Sequence, residues 1–134
     1  MITEPDYSLK GLRVLIAEDE ALTLRQLTRA VYKAGMEVYS YVLDGITGLN
    51  RALEGRPDIL LLDVRMPYLS GTEVARRVFE HYNPCIVFVT AFEQDITTHE
   101  SEQIRNCQVV TKPVTSDILL PRIAAAWYEH IKPY

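Results

Sequence analysis

The chain has 134 residues, 48% hydrophobic and 24% charged, with a formal net charge of -4. That is one globular domain's worth, able to bury about two-thirds of its unfolded surface, and its acidic balance lacks the clustered Lys/Arg that direct nucleic-acid binding needs. The longest apolar runs, Ile59 to Leu62 and Cys85 to Val89, fall far short of the roughly 20 residues of a membrane helix, and with no apolar signal core at the start a cytoplasmic protein is expected.

Residues 1–10 carry Glu4, Pro5 and Asp6 and read as a flexible lead-in to a single domain over residues 11–134. Leu12 to Ala17 is an apolar, β-branched run ending in Glu18, Asp19 and Glu20, which predicts a buried strand with carboxylates at its exit. Ala21, Leu24, Leu27 and Val31 then recur at helical spacing, and Gly35 supplies a C-terminal stop. Met36 to Leu43 alternates and is rich in β-branched and aromatic residues, as a strand near a sheet edge would be. Asp44 is placed to cap a short helix carrying Ile46, Leu49, Ala52 and Leu53, stopped at Gly55 and Pro57.

Ile59 to Leu62 has no polar alternation, which fits a strand covered on both faces. It ends in Asp63 and a loop punctuated by Pro67 and Gly71. A helix is predicted from Gly71 to Tyr82, broken by Asn83-Pro84, then an uninterrupted apolar strand from Cys85 to Val89 with Thr90 at its exit. Phe92 to Asn106 is polar, with Ile96 and Ile104 as its apolar anchors, and reads as a short, loosely held helix. Gln108 to Thr111 is a short strand ended by Lys112-Pro113. Leu119, Ile123, Ala126, Trp127 and Ile131 line one face of a terminal helix. Pro121 lacks an N–H and its ring opposes the carbonyl four residues back, so that helix is expected to start late, near Leu119, or to kink. Strands alternating with helices in this way imply an α/β, doubly wound parallel sheet of five strands flanked by five helices.

The strand exits carry a constellation. Glu18 and Asp19 follow the first strand, Asp63 the third, Thr90 the fourth and Lys112 the fifth. An aspartate beginning a turn is ordinary, but in open α/β sheets this edge is where ligands gather. Three carboxylates packed together repel unless a cation joins them, and an all-oxygen cluster suits Mg²⁺. An ionised carboxylate needs no base to attack phosphorus. What phosphoryl transfer needs is neutralisation and in-line positioning, for which Lys112 supplies a cation and Thr90 a hydroxyl donor. The residues thus read as an acidic Mg²⁺ site with a phosphorylatable aspartate.

The segments IAEDE, LLLDVRMPYLSG, VTA and TKP, in this order and spacing, resemble the receiver domain of two-component response regulators over about residues 11–131. The resemblance implies a flavodoxin-like sheet of order 2-1-3-4-5 and a phosphoryl group accepted on Asp63 from a histidine kinase or histidine phosphotransfer protein. It further implies Asp19 as a direct Mg²⁺ ligand, Glu18 acting through water, the Arg65 backbone carbonyl as another ligand, Thr90 as the switch hydroxyl, Lys112 as the phosphate-pairing lysine and a cis bond before Pro113. Phe92 and Arg65 stand where the family tunes phosphoryl lifetime. Output is then a changed contact with a downstream protein partner, with a homodimer through the predicted fourth helix, fifth strand and fifth helix as one form.

Two features depart from the family pattern. Three residues before Lys112 the family has an aromatic ring that swings inward, where this chain has Val109, with one stiff torsion. Pro121 and the polar stretch 93–106 alter the usual partner face. The leading reading is a receiver without an attached output domain, acting on a separate partner. Its rivals are the receiver of a longer DNA-binding or enzymatic regulator, a receiver that works as a constitutive interaction module, and an aspartyl-phosphate hydrolase of small phosphate esters. The hydrolases resemble DxD at the nucleophile, where this chain has Asp63-Val64-Arg65. Cys85 and Cys107 have no CxxC spacing and are expected as reduced thiols, with a disulfide left open because both begin strands at one sheet edge. His81, His99 and His130 share no metal spacing and read as surface. Arg76-Arg77 reads as a solvated helix face, and Trp127 and Tyr128 as core and boundary residues.

Overall fold

Apolar strands without polar alternation can be satisfied only between two layers of helix, and the chain folds accordingly. The structure, a computed structural model, describes residues 8–96 and 107–132. Its elements are β1 (Arg13–Ala17), α1 (Ala21–Lys33), β2 (Glu37–Val42), α2 (Gly45–Gly55), β3 (Ile59–Asp63), α3 (Gly71–Val78), β4 (Cys85–Thr90), β5 (Gln108–Thr111) and α4 (Ser116–Ile131). The strands form one parallel sheet in the order β2-β1-β3-β4-β5. Every residue of β3 and β4 is buried.

The pleat sorts each strand's residues between two cores. Val14, Ile16, Ile59, Leu61, Val87 and Val89 face α1 and α4, joined by Leu27, Val31, Leu119 and Ile123. Leu15, Leu60, Leu62, Ile86 and Phe88 face α2 and α3, joined by Ala52, Val74 and Val78. Trp127 packs at the border of the first core, as its spacing predicts.

Caps and stops explain where most elements end. Asp44 accepts a hydrogen bond from Thr47 N at 2.8 Å, and Ser70 accepts one from Glu73 N at 3.2 Å, so each serves as an N-cap. Gly35, with φ +78°, ends α1 as expected. At the end of α2 the left-handed residue is Arg56, with φ 45°, one place after the glycine expected to take it. Gly55 is small for a different reason, because a Cβ there would lie 2.2 Å from the Tyr39 ring.

The helix count and the start of the last helix differ from the expectation. Among the described residues there are four α-helices, where the sequence predicts five. Of the polar stretch Phe92 to Asn106, Glu93–Asp95 forms a single 3-10 turn, closed by Asp95 N donating to Phe92 O at 3.0 Å, and residues 97–106 lie outside the described residues. For Pro121 the expected late start near Leu119 does not occur. The last helix begins at Ser116, before Leu119, with Pro121 inside it. Its first turn closes on the Thr115 carbonyl, which accepts from Ile118 N at 3.1 Å and Leu119 N at 2.9 Å, so the helix is nucleated before the proline is reached. Among the described residues no helix is long and apolar enough to cross a membrane.

Candidate functional site

Because β1 and β4 flank β3, the strand order itself brings three exits together. Asp63 is the last residue of β3, opposite Val89 in register, and is 5% exposed. The loop after it folds straight back: Gly71 N donates to Val64 O at 2.9 Å, and a Cβ at Gly71 would stand 2.1 Å from the Asp63 carbonyl oxygen. Glycine is therefore required for α3 to start where it does. At the exit of β1, Glu18 N donates to Val42 O at 3.0 Å, which turns its side chain inward, where it is fully buried. Asp19, the next residue, lies exposed at the rim. Carboxylate oxygens of Glu18, Asp19 and Asp63 all lie within 4.8 Å of one another.

Lys112 reaches this cluster from the far side of β4. Its backbone N donates to Thr90 O at 2.8 Å, and the bond to Pro113 is cis. Its ammonium stands 2.5 Å from Glu18 Oε1 and 3.3 Å from Asp63 Oδ2. Burial lowers the lysine's tendency to hold its proton, but the contacts with Glu18 and Asp63 outweigh it and keep the ammonium charged beyond its ordinary range. Glu18 is shifted upward, by burial first, then by the neighbouring Asp63 carboxylate, against the opposing pull of Lys112. Both shifts express one imbalance, in which a single ammonium serves two buried carboxylates with a third beside them. Neither Glu18 oxygen has a well-formed hydrogen bond among the described residues; the Lys112 contact is a charge pair, and Oε2 lacks even that.

Thr90, at the end of β4, is 1% exposed. Its hydroxyl is directed to Asp95 Oδ2 at 3.0 Å and Phe92 O at 3.2 Å. Arg65 N donates to Asp63 Oδ1 at 3.3 Å, while its side chain runs outward to pair with Asp95 Oδ1 at 2.6 Å and lies 4.8 Å over the Phe92 ring. Arg65 and Phe92, singled out in sequence, thus meet each other. Asp95 was missed, because a helix through this stretch would have sent it outward; a turn aims it back at Thr90. Val109 lies apart, half-buried opposite Phe88 and packed toward α2 and α3.

The remaining candidates stay outside the site. Both cysteines are free, and burial, then the neighbouring Cys107, pushes the Cys85 thiol up to about 12. His81 is exposed, His130 stacks on Trp127 with ring centroids 5.4 Å apart, and His99 lies outside the described residues. Arg77 pairs with Glu73 at 3.0 Å on an exposed helix face, and Arg76 pairs with the same carboxylate.

Residues 14–124 match the response regulator receiver domain family. The chain belongs to that family. This receiver is 32% identical over 114 residues to the transcriptional regulatory protein PdtaR of Mycobacterium tuberculosis, covering 85% of this chain and 56% of PdtaR. It is 30% identical over 104 residues to a protein-glutamate methylesterase/protein-glutamine glutaminase of Archaeoglobus fulgidus, covering 76% of this chain and 30% of that protein. The receiver thus spans about half, or less, of the length of these relatives. Among solved structures, the signal receiver domain of a modulated diguanylate cyclase from Desulfovibrio desulfuricans G20 superposes with a TM-score of 0.79 at 28% identity, over 90% of this chain and 97% of that one. A receiver domain is a phosphoacceptor switch of two-component signalling, and its acidic pocket is where the family binds Mg²⁺.

Proposed function

We propose that Asp63 is the phosphoacceptor of this receiver, taking a phosphoryl group from a histidine kinase or histidine phosphotransfer protein with Mg²⁺ at Glu18, Asp19, Asp63 and the Arg65 backbone carbonyl. The observation that carries this reading is the charge imbalance at one sheet edge: three carboxylates within 4.8 Å of one another and a buried Glu18 oxygen without a partner among the described residues. Hard oxygen donors of this kind fit Mg²⁺. When bound, the cation supplies the positive charge that lets an anionic phosphoryl group approach a carboxylate.

The chain's own residues do the rest. The short turn at Gly71 fixes the Asp63 carboxylate at the strand exit, placed to attack in line. Lys112 gives its ammonium to the arriving phosphoryl oxygens, moving off the Glu18 pairing as it does so. The Thr90 hydroxyl donates to the same group after turning from Asp95. Phe92 and Arg65 cover the approach and set how readily water reaches the acyl phosphate. Val109 gives the switch no ring to move, so its readout is proposed to lie in the loop after β4 and in the face of β5 and α4, where Ile118 is 50% exposed. That face is the proposed surface for a downstream protein or a second copy, in a unit running from residue 11 to 134.

The deciding experiment incubates the chain with Mg²⁺ and acetyl phosphate and reads intact mass. A phosphoryl adduct in wild type and none in Asp63→Asn is expected. An adduct that persists in Asp63→Asn, or never forms, overturns the assignment. The Asp63-Val64-Arg65 sequence puts a cation, paired to Asp95, where aspartyl-phosphate hydrolases carry a second acid. Sustained turnover of a chromogenic phosphate ester would reverse that choice.

A further inference from the structure

Thr90 has one hydroxyl proton and three claimants for it. Two are in place, Asp95 Oδ2 at 3.0 Å and Phe92 O at 3.2 Å, and the hydroxyl oxygen itself accepts from Phe92 N at 3.3 Å. The third claimant, under the function proposed above, is a phosphoryl oxygen on Asp63. An ionised carboxylate is a stronger acceptor than a peptide carbonyl, so Asp95 is the principal holder. Arg65 keeps it so, because its Nη2 pairs with the other Asp95 oxygen at 2.6 Å. That pairing first, opposed by a little burial and helped by the Thr90 bond, holds the Asp95 carboxyl below its usual range.

Resting on the phosphoacceptor reading, we propose that Asp95 is a positioning residue that latches the Thr90 hydroxyl away from Asp63, and that Arg65 ties this latch to the phosphoacceptor loop. Arg65 stands two residues after Asp63 and Phe92 two after Thr90, and the guanidinium that pairs with Asp95 also covers the Phe92 ring at 4.8 Å. The cluster Arg65, Phe92 and Asp95 therefore bridges the exits of β3 and β4 from outside. A phosphoryl group on Asp63 recruits the Thr90 proton only if the bond to Asp95 breaks. It also sets a new anion beside the Asp95 carboxylate. Both effects release the Glu93–Asp95 turn, which heads the stretch leading to β5. This gives a receiver with Val109 in place of the aromatic ring a moving part of its own.

The test measures beryllium fluoride binding in the presence of Mg²⁺, by calorimetry, in wild type, Asp95→Ala, Thr90→Val and the double variant. Removing the latch should tighten binding by about 10- to 100-fold, the worth of one broken hydrogen bond to a charged group. In the Thr90→Val background the same substitution should change binding less than about 2-fold, because the competition needs the hydroxyl. Tightening that is equal in both backgrounds would mean that Asp95 acts as a bare charge, and would overturn the proposal. No tightening in Asp95→Ala would overturn it while leaving the phosphoacceptor reading intact. Failure of wild type to bind, with no difference from Asp63→Asn, would overturn both. A metal-free readout adds to this: three-bond couplings to the Thr90 methyl should report one χ1 rotamer in wild type and averaging in Asp95→Ala. A single unchanged rotamer in the variant would count against the latch.

Discussion

Glu18 is a fully buried acid whose pKa is pushed from 4.5 up to about 8, by burial first and then by Asp63. Between those two values the folded chain binds more protons than the unfolded one, so its stability must fall as pH rises through this window and level off above it. The acids held low, Asp44 by Thr47 and Glu73 by Arg76, act with the opposite sign and only toward more acidic pH, below the window. Metal-free protein should therefore lose stability from mildly acid to mildly alkaline pH, and Glu18→Gln should flatten that slope. It should also raise stability near pH 8 by about 1–3 kcal/mol, the usual cost of an unsatisfied buried polar group, while weakening Mg²⁺ binding. Urea titrations across the pH range decide the matter; an unchanged slope in the variant would remove Glu18 as its source. The candidate residues that the sheet edge brings together were legible in the sequence because each stands at a strand exit, where chain order alone fixes its place. Asp95 was not, since its role depends on whether a polar segment turns or continues, and no apolar period decides that.

At the level of elements, the β3–α3 loop and α4 show two ways in which local chemistry yields to packing. Gly71 is a helical residue without a side chain because the Asp63 carbonyl occupies the space, 2.1 Å from any Cβ. Gly71→Ala should cost about 1–3 kcal/mol through forced displacement and slow phosphorylation disproportionately, since the displaced atoms belong to Asp63; a stable variant with wild-type phosphorylation kinetics would refute this. In α4, Pro121 removes an N–H from the helix and sets its ring against the Asp117 carbonyl, yet the helix runs through it from Ser116 to Ile131. The buried Leu119, Ile123 and Ala126 hold it there. Pro121→Ala should accordingly raise stability by about 1–3 kcal/mol, read from the midpoint of denaturant unfolding. The strands and the helices α1 to α3 were readable from period and caps. The start of α4 was not, because tertiary burial of its first turn overrides a local rule that proline alone would set.

For the whole molecule, a parallel sheet with both faces covered leaves its carboxyl edge as the place where charge can collect, and here that edge is left negative. Folding and ligand binding are then linked through one cluster. A divalent cation that binds the native acids, and not the unfolded chain, stabilises the fold by RT ln(1 + [L]/Kd), about 2.7 kcal/mol at a hundredfold excess over Kd. For a chain of this size about 1 kcal/mol shifts the melting midpoint by roughly 2–8 °C. Thermal melts in rising Mg²⁺ should climb well beyond what matched ionic strength from a monovalent salt produces. Asp19→Asn should reduce the climb, because Asp19 is the exposed member of the cluster. Asp63→Asn should also reduce it, while raising the metal-free midpoint by relieving repulsion with Glu18. The paired result carries the inference: a variant that is more stable without metal and less responsive with it marks the carboxylates as held together for a cation. Equal Mg²⁺ responses in wild type and both variants would mean that the acidic edge has no such role.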